Sequence, residues 1–340
     1  CKDKKLYDIP NQRKVHKNAI PRLGGVSFLP SMLIATIIAL LVWSYAYNGK
    51  KIQISPWTIY FALGLIIIYT TGLVDDLVGV KAKNKFFIQI SVSALLPISY
   101  LYINNFYGFL GIEQVPFLIG APLTILLLVF IMNAINLIDS IDGLSAGLSL
   151  IALIGFFYCF LSEKIWVYSI LIAGLIGVLI PFLYYNVFGN VQKGQKIFMG
   201  DSGSLTLGYI LGVLLVKFSM NNPCVKEYKR ESIFFAMTLM MIPVFDVCRV
   251  IIVRKLHGHK IFQPDKNHIH HKFMRAGLTQ HQSLAAILGM AIIFIVLNVS
   301  LYSIFDTTIL IFGDIVIYTL FHLLLLNRWI RKNKQLPFVE

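Results

Sequence analysis

Long apolar runs of about twenty residues, separated by short polar stretches, set the pattern of this 340-residue chain. Runs of about 18 or more nearly uncharged apolar residues predict membrane-spanning helices. Ten segments have or approach that character: 26–47, 56–74, 86–103, 119–138, 143–162, 166–188, 203–219, 233–254, 283–304 and 308–326. The polar stretches between them are too short to hold a soluble domain, and no internal repeat is evident. The expected fold is an all-α polytopic membrane protein, one integral-membrane domain over 1–340 with about ten transmembrane helices. One more helix is expected upstream, because residues 1–24 read as a basic segment already in progress with no signal peptide before it. A lipidated Cys1 is the rival reading, and it would invert the topology.

Composition removes the soluble alternative. Hydrophobic residues make up 57% of the chain and charged residues 14%, whereas a soluble domain carries about 25% charged residues. The net charge of +14 is unevenly placed. On alternating sides of the predicted spans, one side carries 22 of the 30 Lys and Arg residues and the other carries 6. The positive-inside rule therefore puts segments 1–24, 75–85, 139–142, 189–202, 254–282 and 327–340 in the cytoplasm. Such a basic collar suits anionic lipid and anionic substrates. Nucleic acid is not expected, since no soluble domain exists to present the charge. Cys1, Cys159, Cys224 and Cys248 show no metal-ligand spacing and read as incidental.

With only 16 acidic residues, their positions are informative. Asp75 and Asp76 close the second predicted span, Asp139 and Asp142 follow the fourth, Asp201 precedes the seventh, and Asp246 lies inside the eighth. All six fall at or near the cytoplasmic face. Carboxylates brought together from separate hairpins need compensating charge, which a divalent cation and nearby Lys and Arg would supply. The alternative is a set of solvated loop-end acids that never meet. Asn133, Asn136, Asp139 and Asp142 recur every three residues, a spacing that drifts by about 60° per step on a straight helix. A break near Asp139–Gly143 would let all four face one pocket; an Asn-rich seam between helices is the competing reading. The Gly200-Asp201-Ser202-Gly203-Ser204 turn fits a carboxylate presented at a helix N-terminus, where free N–H groups favour phosphate.

Segment 254–282 holds six of the eight histidines: His257, His259, His268, His270, His271 and His281. No Cys or Glu pair completes a tetrahedral zinc site, so interleaved Arg and Lys favour anion recognition, with Arg254 as a fork for a diphosphate. A zinc site and a merely solvated basic loop remain the alternatives.

In order along the chain stand Pro21-Arg22-Leu23-Gly24-Gly25, Asp75-Asp76, Asn133-x-x-Asn136-Leu-x-Asp139-x-x-Asp142-Gly-Leu, Gly200-Asp201-x-Gly-Ser and Pro264-Asp-Lys-Asn-His268-Ile-His270-His271. This series, from about residue 8 to residue 282, resembles the polyprenyl-phosphate N-acetylhexosamine-1-phosphate transferases, relatives of the translocase that makes the first lipid intermediate of peptidoglycan. The IPRLGG and HIHH forms are similar to the branch that uses UDP-GlcNAc. Ser140 departs from the pattern, standing where Gly is common. The resemblance implies an enzyme that transfers GlcNAc 1-phosphate from a UDP-N-acetylhexosamine to undecaprenyl phosphate and releases UMP. It also implies the bacterial cytoplasmic (inner) membrane with a cytoplasm-facing site, a first membrane step of a glycan such as O-antigen or teichoic acid, and a homodimer as a candidate assembly.

The resemblance further implies Mg²⁺, with Mn²⁺ as a substitute, held by Asn136 and Asp201. Asp75 is then the base for the lipid phosphate, with Asp76 beside it for charge or geometry, and Lys85 pairs that phosphate. Asp139 and Asp142 read the uracil ring, Arg254 and His268 hold the diphosphate, and His270 and His271 contact phosphate or sugar. A transporter is the alternative class, since many spans with intramembrane acids suit one equally, but transport sites lie near the bilayer midplane.

Overall fold

The computed structural model describes residues 7–8, 20–46, 56–223, 228–258, 260 and 267–332. Most of the basic N-terminal segment, the 48–55 loop, His259, the Pro264–Lys266 part of the last motif and the end of the 327–340 segment lie outside them.

The chain is mostly helical. Its helices are α1 (Phe28–Ala46), α2 (Pro56–Val78), α3 (Ala82–Ile98), α4 (Phe117–Ile138), α5 (Leu144–Ser162), α6 (Trp166–Phe188) and α7 (Gly200–Ser219). They continue as α8 (Ser232–Leu239), α9 (Met241–Leu256), α10 (Ile269–Arg275), α11 (Gln280–Leu301), α12 (Thr307–Leu320) and α13 (Asn327–Lys332). Among the described residues, eight helices are long and apolar enough to cross a membrane, or nine if the bent pair α8–α9 is one span. This is fewer than the ten expected from sequence, for two physical reasons. The expected span 86–103 is realised as α3, a helix of 17 residues that starts with Lys83 and Lys85 in its first turn and ends at Ile98, one residue past Pro97. The expected span 233–254 is two helices meeting at Met240 with a bend of 71°.

Helix α7 is the axis of the bundle, with every residue from Ser202 to Ser219 buried. It packs mainly on α4 and α2, while α1 lies on α6 and α6 on α5. Between apolar helices in lipid no hydrophobic driving force remains, so close backbone packing carries association. A Cβ on Gly208 would come 2.6 Å from Cα of Met132 in α4, and one on Gly72 of α2 would come 2.6 Å from Cα of Ser202. The faces turned away from α7 are apolar and exposed, as at Ile34, Ile37, Ile38 and Leu41 of α1 and Ile292, Ile293 and Val296 of α11. Apolar surface on this scale is what a bilayer covers. The protein is a multi-pass membrane protein.

Candidate active site

Helix α4 ends at Ile138, Gly143 adopts a left-handed conformation (φ 78°), and α5 starts at Leu144. The break expected between Asp139 and Gly143 is therefore present. It separates the four-residue polar stripe into two uses. Asn133 donates to Oε1 of Gln89 in α3 and to its own helix at Val129, both at 2.7 Å. That residue belongs to the helix seam, not to the pocket. One turn on, Asn136 donates to Oδ1 of Asp201 at 2.9 Å and to Oγ of Ser204 at 2.8 Å.

Asp201 occupies the first turn of α7. Lys85, from the start of α3, bridges it to Asp75: its Nζ pairs with Asp201 and lies 2.9 Å from Oδ2 of Asp75. Oδ1 of Asp75 accepts the backbone N–H of Val80 at 2.6 Å, which closes the turn between α2 and α3. Asp76 points the other way. Its two oxygens accept the backbone N–H groups of Asp201 (2.8 Å) and Ser202 (2.9 Å). The first N–H groups of a helix have no partner inside it, and a carboxylate there also meets the positive end of the helix dipole. Asp76 is thus a cap for α7 supplied by a neighbouring helix, and it fixes where Asp201 sits.

The Pro21–Gly25 motif acquires its physical meaning here. The Phe198 N–H donates to the Pro21 carbonyl (2.8 Å), Gly24 N–H to the Phe198 carbonyl (2.9 Å) and Gly25 N–H to the Met199 carbonyl (2.8 Å). The two segments run side by side directly before Asp201. A Cβ on Gly25 would collide with the Gly203 backbone. Gly200 has φ 72°, and a Cβ there would meet the Arg22 carbonyl and, at 2.6 Å, the Asp76 carboxylate.

Asp139 sits in the turn after α4 with partial exposure. Burial of its carboxyl, reinforced by the charges of Asp201, Asp142 and Asp76, pushes its pKa up to about 8. Like charges close together resist joint ionisation. Asp142 is neutralised by Lys196, whose Nζ lies 2.6 Å from its Oδ2. Asn186 near the end of α6 staples the same corner, accepting the Gly143 N–H (2.6 Å) and donating to the Ile197 carbonyl (2.8 Å). Sequence reasoning missed Lys196 and Asn186. The only signal was an amide and a cation beside a membrane edge, without a motif to mark them.

The histidine region forms a second centre. Asp246 of α9 binds Arg249 (2.7 Å) and Nδ1 of His268 (2.8 Å). Arg254 is buried in the last turn of α9. His270 is fully buried on α10 with its ring 4.1 Å from that of His271, which keeps partial exposure. Burial, then the neighbouring His271, drives the His270 pKa well down and keeps that ring neutral.

Among the described residues no three His, Cys, Asp or Glu side chains converge as a ready-made metal site. The donor set at Asp201 nonetheless fits Mg²⁺. That ion takes oxygen ligands and is commonly held by one or two protein groups plus substrate phosphates. Asp201 offers a carboxylate and Asn136 an amide oxygen, and the Lys85 ammonium already marks a place where positive charge is held between Asp75 and Asp201.

Each acid of the cluster lies at a helix end: Asp75 and Asp76 in the last turn of α2, Asp139 just past α4 and Asp201 in the first turn of α7. This placement at one edge of the bundle differs from the midplane site of a transporter.

Comparison with known proteins agrees with this geometry. Residues 58–219 match the model of glycosyl transferase family 4. The chain is 34% identical to a Bacillus subtilis (strain 168) protein named "Probable undecaprenyl-phosphate N-acetylglucosaminyl 1-phosphate transferase", covering 84% of this chain and 75% of that one. It is 28% identical to the undecaprenyl-phosphate alpha-N-acetylglucosaminyl 1-phosphate transferase of Yersinia pestis, over 83% of this chain and 73% of the relative. It is 29% identical to the decaprenyl-phosphate N-acetylglucosaminephosphotransferase of Mycolicibacterium smegmatis (strain ATCC 700084 / mc(2)155), over 82% and 71%. With a cluster of acids at helix ends on one edge of the bundle and relatives of this kind along most of its length, the chain belongs to glycosyl transferase family 4, among the polyprenyl-phosphate N-acetylhexosamine-1-phosphate transferases.

Proposed function

We propose that this protein transfers GlcNAc 1-phosphate from UDP-GlcNAc to undecaprenyl phosphate and releases UMP. The observation that carries the reading is the Asp75–Lys85–Asp201–Asn136 chain of contacts at the ends of α2, α3, α4 and α7. The names of the relatives support the choice of sugar and lipid.

In the reaction an oxygen of the lipid phosphate attacks the sugar-linked phosphorus. The bond to the bridging oxygen breaks, and UMP leaves with that oxygen. Phosphoryl transfer is mostly positioning and charge neutralisation, so the work of the chain is to bring two anions together. Asp75 takes any proton left on the lipid phosphate. Lys85, ten residues further on, pairs that phosphate and offsets its repulsion of the donor. Asp76 keeps Asp201 in register by capping α7. Asp139 and Asp142 bind the uracil edge, with Lys196 handing Asp142 over when the donor enters. Arg254, His268, His270 and His271 form the diphosphate and sugar side.

Asp201 and Asn136 would hold Mg²⁺, which when bound would supply positive charge against the negative charge developing on the phosphates, and Mn²⁺ is expected to replace it. The site faces the cytoplasm of a bacterial inner membrane, where UDP-sugars are made. The product initiates a cell-envelope glycan such as O-antigen or teichoic acid.

The test is purified protein with UDP-GlcNAc, UDP-GalNAc, UDP-glucose and UDP-MurNAc-pentapeptide at equal concentration, counting lipid-linked product. UDP-GlcNAc should lead. An acetamido pocket rejects a sugar lacking that group by about 10⁴-fold, so UDP-glucose should give almost nothing. A preference for UDP-glucose or for the pentapeptide donor would refute the assignment.

A further inference from the structure

Asp246 takes no part in the transfer steps themselves, yet it is fully buried, with 0% exposure. Burying an unpaired carboxylate costs several kcal/mol, so its partners reveal what it is for. Oδ1 accepts from Arg249 at 2.7 Å and from the Ile269 backbone N–H at 2.9 Å. Oδ2 lies 2.8 Å from Nδ1 of His268. A carboxylate held by a guanidinium and a backbone N–H is ionised and can only accept. Nδ1 of His268 therefore carries the proton, and Nε2, which makes no hydrogen bond to any described residue, is the atom left for substrate. Arg249 also donates to the Asn267 carbonyl at 2.5 Å. The residues on both sides of His268 are thus tied to α9, and the ring is fixed in position, orientation and tautomer together.

We propose that Asp246 is a positioning residue for the transfer reaction, holding His268 through Nδ1 so that Nε2 engages the donor diphosphate. The inference rests on the function proposed above and deepens it. Neutralising Arg249 would occupy one carboxylate oxygen; the other is spent on the imidazole, and that second contact is what a purely structural charge pair leaves unexplained.

The test is a double-mutant cycle on the full chain in detergent, measuring transfer from UDP-GlcNAc by wild type, D246N, H268Q and the double variant. Losing the partner that orients an active histidine costs about 10–100-fold, so D246N should lower kcat by that factor and leave the KM for undecaprenyl phosphate unchanged. Residues acting as one unit are non-additive. On top of H268Q the same change should cost less than about twofold. Multiplicative losses, or D246N at the wild-type rate, would overturn the proposal. Should D246N fail to reach the membrane, D246E replaces it in the same cycle. That variant keeps the charge and shifts its oxygens by one methylene, and additivity with H268Q again overturns the proposal. Inactivity of the wild-type protein with every UDP-sugar overturns both readings at once, whereas an active wild type with additive losses overturns this one alone.

Discussion

Asp201 receives contacts from Lys85 and Asn136 while its own backbone N–H is held by Asp76. A side chain so constrained can be neutralised with little change of shape. Asp201→Asn should therefore leave the protein folded and inserted while lowering transfer by about 100-fold or more, the scale of losing several kcal/mol of charge stabilisation. Turnover near the wild-type rate across a Mg²⁺ titration would count against its role as a ligand. Asp139 supports a different prediction. Its pKa in the folded protein is raised from 3.8 to about 8, so between those values the folded state keeps a proton that the unfolded chain has released. Stability then falls as pH rises through that window and levels off above it. Asp139→Asn cannot ionise, so its apparent Tm in detergent should gain on wild type from pH 5 to pH 9. A constant difference between the two proteins would contradict the shift.

These acids were legible in the sequence because charged residues are scarce in the chain and theirs sit at the edges of apolar runs. Asn133 was misleading. Three-residue spacing says that two groups share a face locally, but one turn of drift sent Asn133 to Gln89 and left Asn136 with Asp201. Asn186 and Lys196 were invisible for another reason: they reach the Asp142–Gly143 corner across more than forty residues of chain, and no local pattern encodes such a closure.

At the scale of elements, small residues decide how near two helices come. Gly72 lets α2 lie on α7 at Ser202, and Gly177 of α6 has nothing within 4 Å of where a Cβ would stand. Gly72→Ala should cost about 1–3 kcal/mol by overpacking and displace Asp75 and Asp76 from the α7 terminus, lowering both Tm and activity. Gly177→Ala should be neutral or stabilising by up to about 1 kcal/mol, since alanine favours a helix. Equal effects from the two would show that the α2–α7 approach is looser than described. Hydropathy marked most helices but did not foresee the form of two. α3 carries lysines in its first turn and is short, and the α8–α9 bend at Met240 falls where the chain is apolar on both sides. A hydropathy window registers apolar length and does not register direction.

For the whole molecule, the asymmetry of charge is the strongest guide to orientation. Cysteines placed at Glu113 or Arg230 should react with an impermeant thiol reagent added outside intact cells, and cysteines at Lys193 or His281 should react only after the membrane is opened. External labelling at His281 would invert the topology and remove the proposed access to UDP-sugars.

Helix α7 is buried along nearly its whole length, while α1 and α11 turn broad apolar faces outward. Lipid therefore acts on the shell of the bundle and has no direct purchase on its axis. In bilayers of different acyl length, outer helices answer a mismatch by tilting, at a fraction of a kcal/mol per ångström. The carboxylate at the tip of α7 is tied to α2, α3 and α4 through Asp76, Lys85 and Asn136 and does not ride on that tilt. The bundle works as a bearing: its rim follows the thickness of the membrane, and its shaft keeps the reacting groups in register.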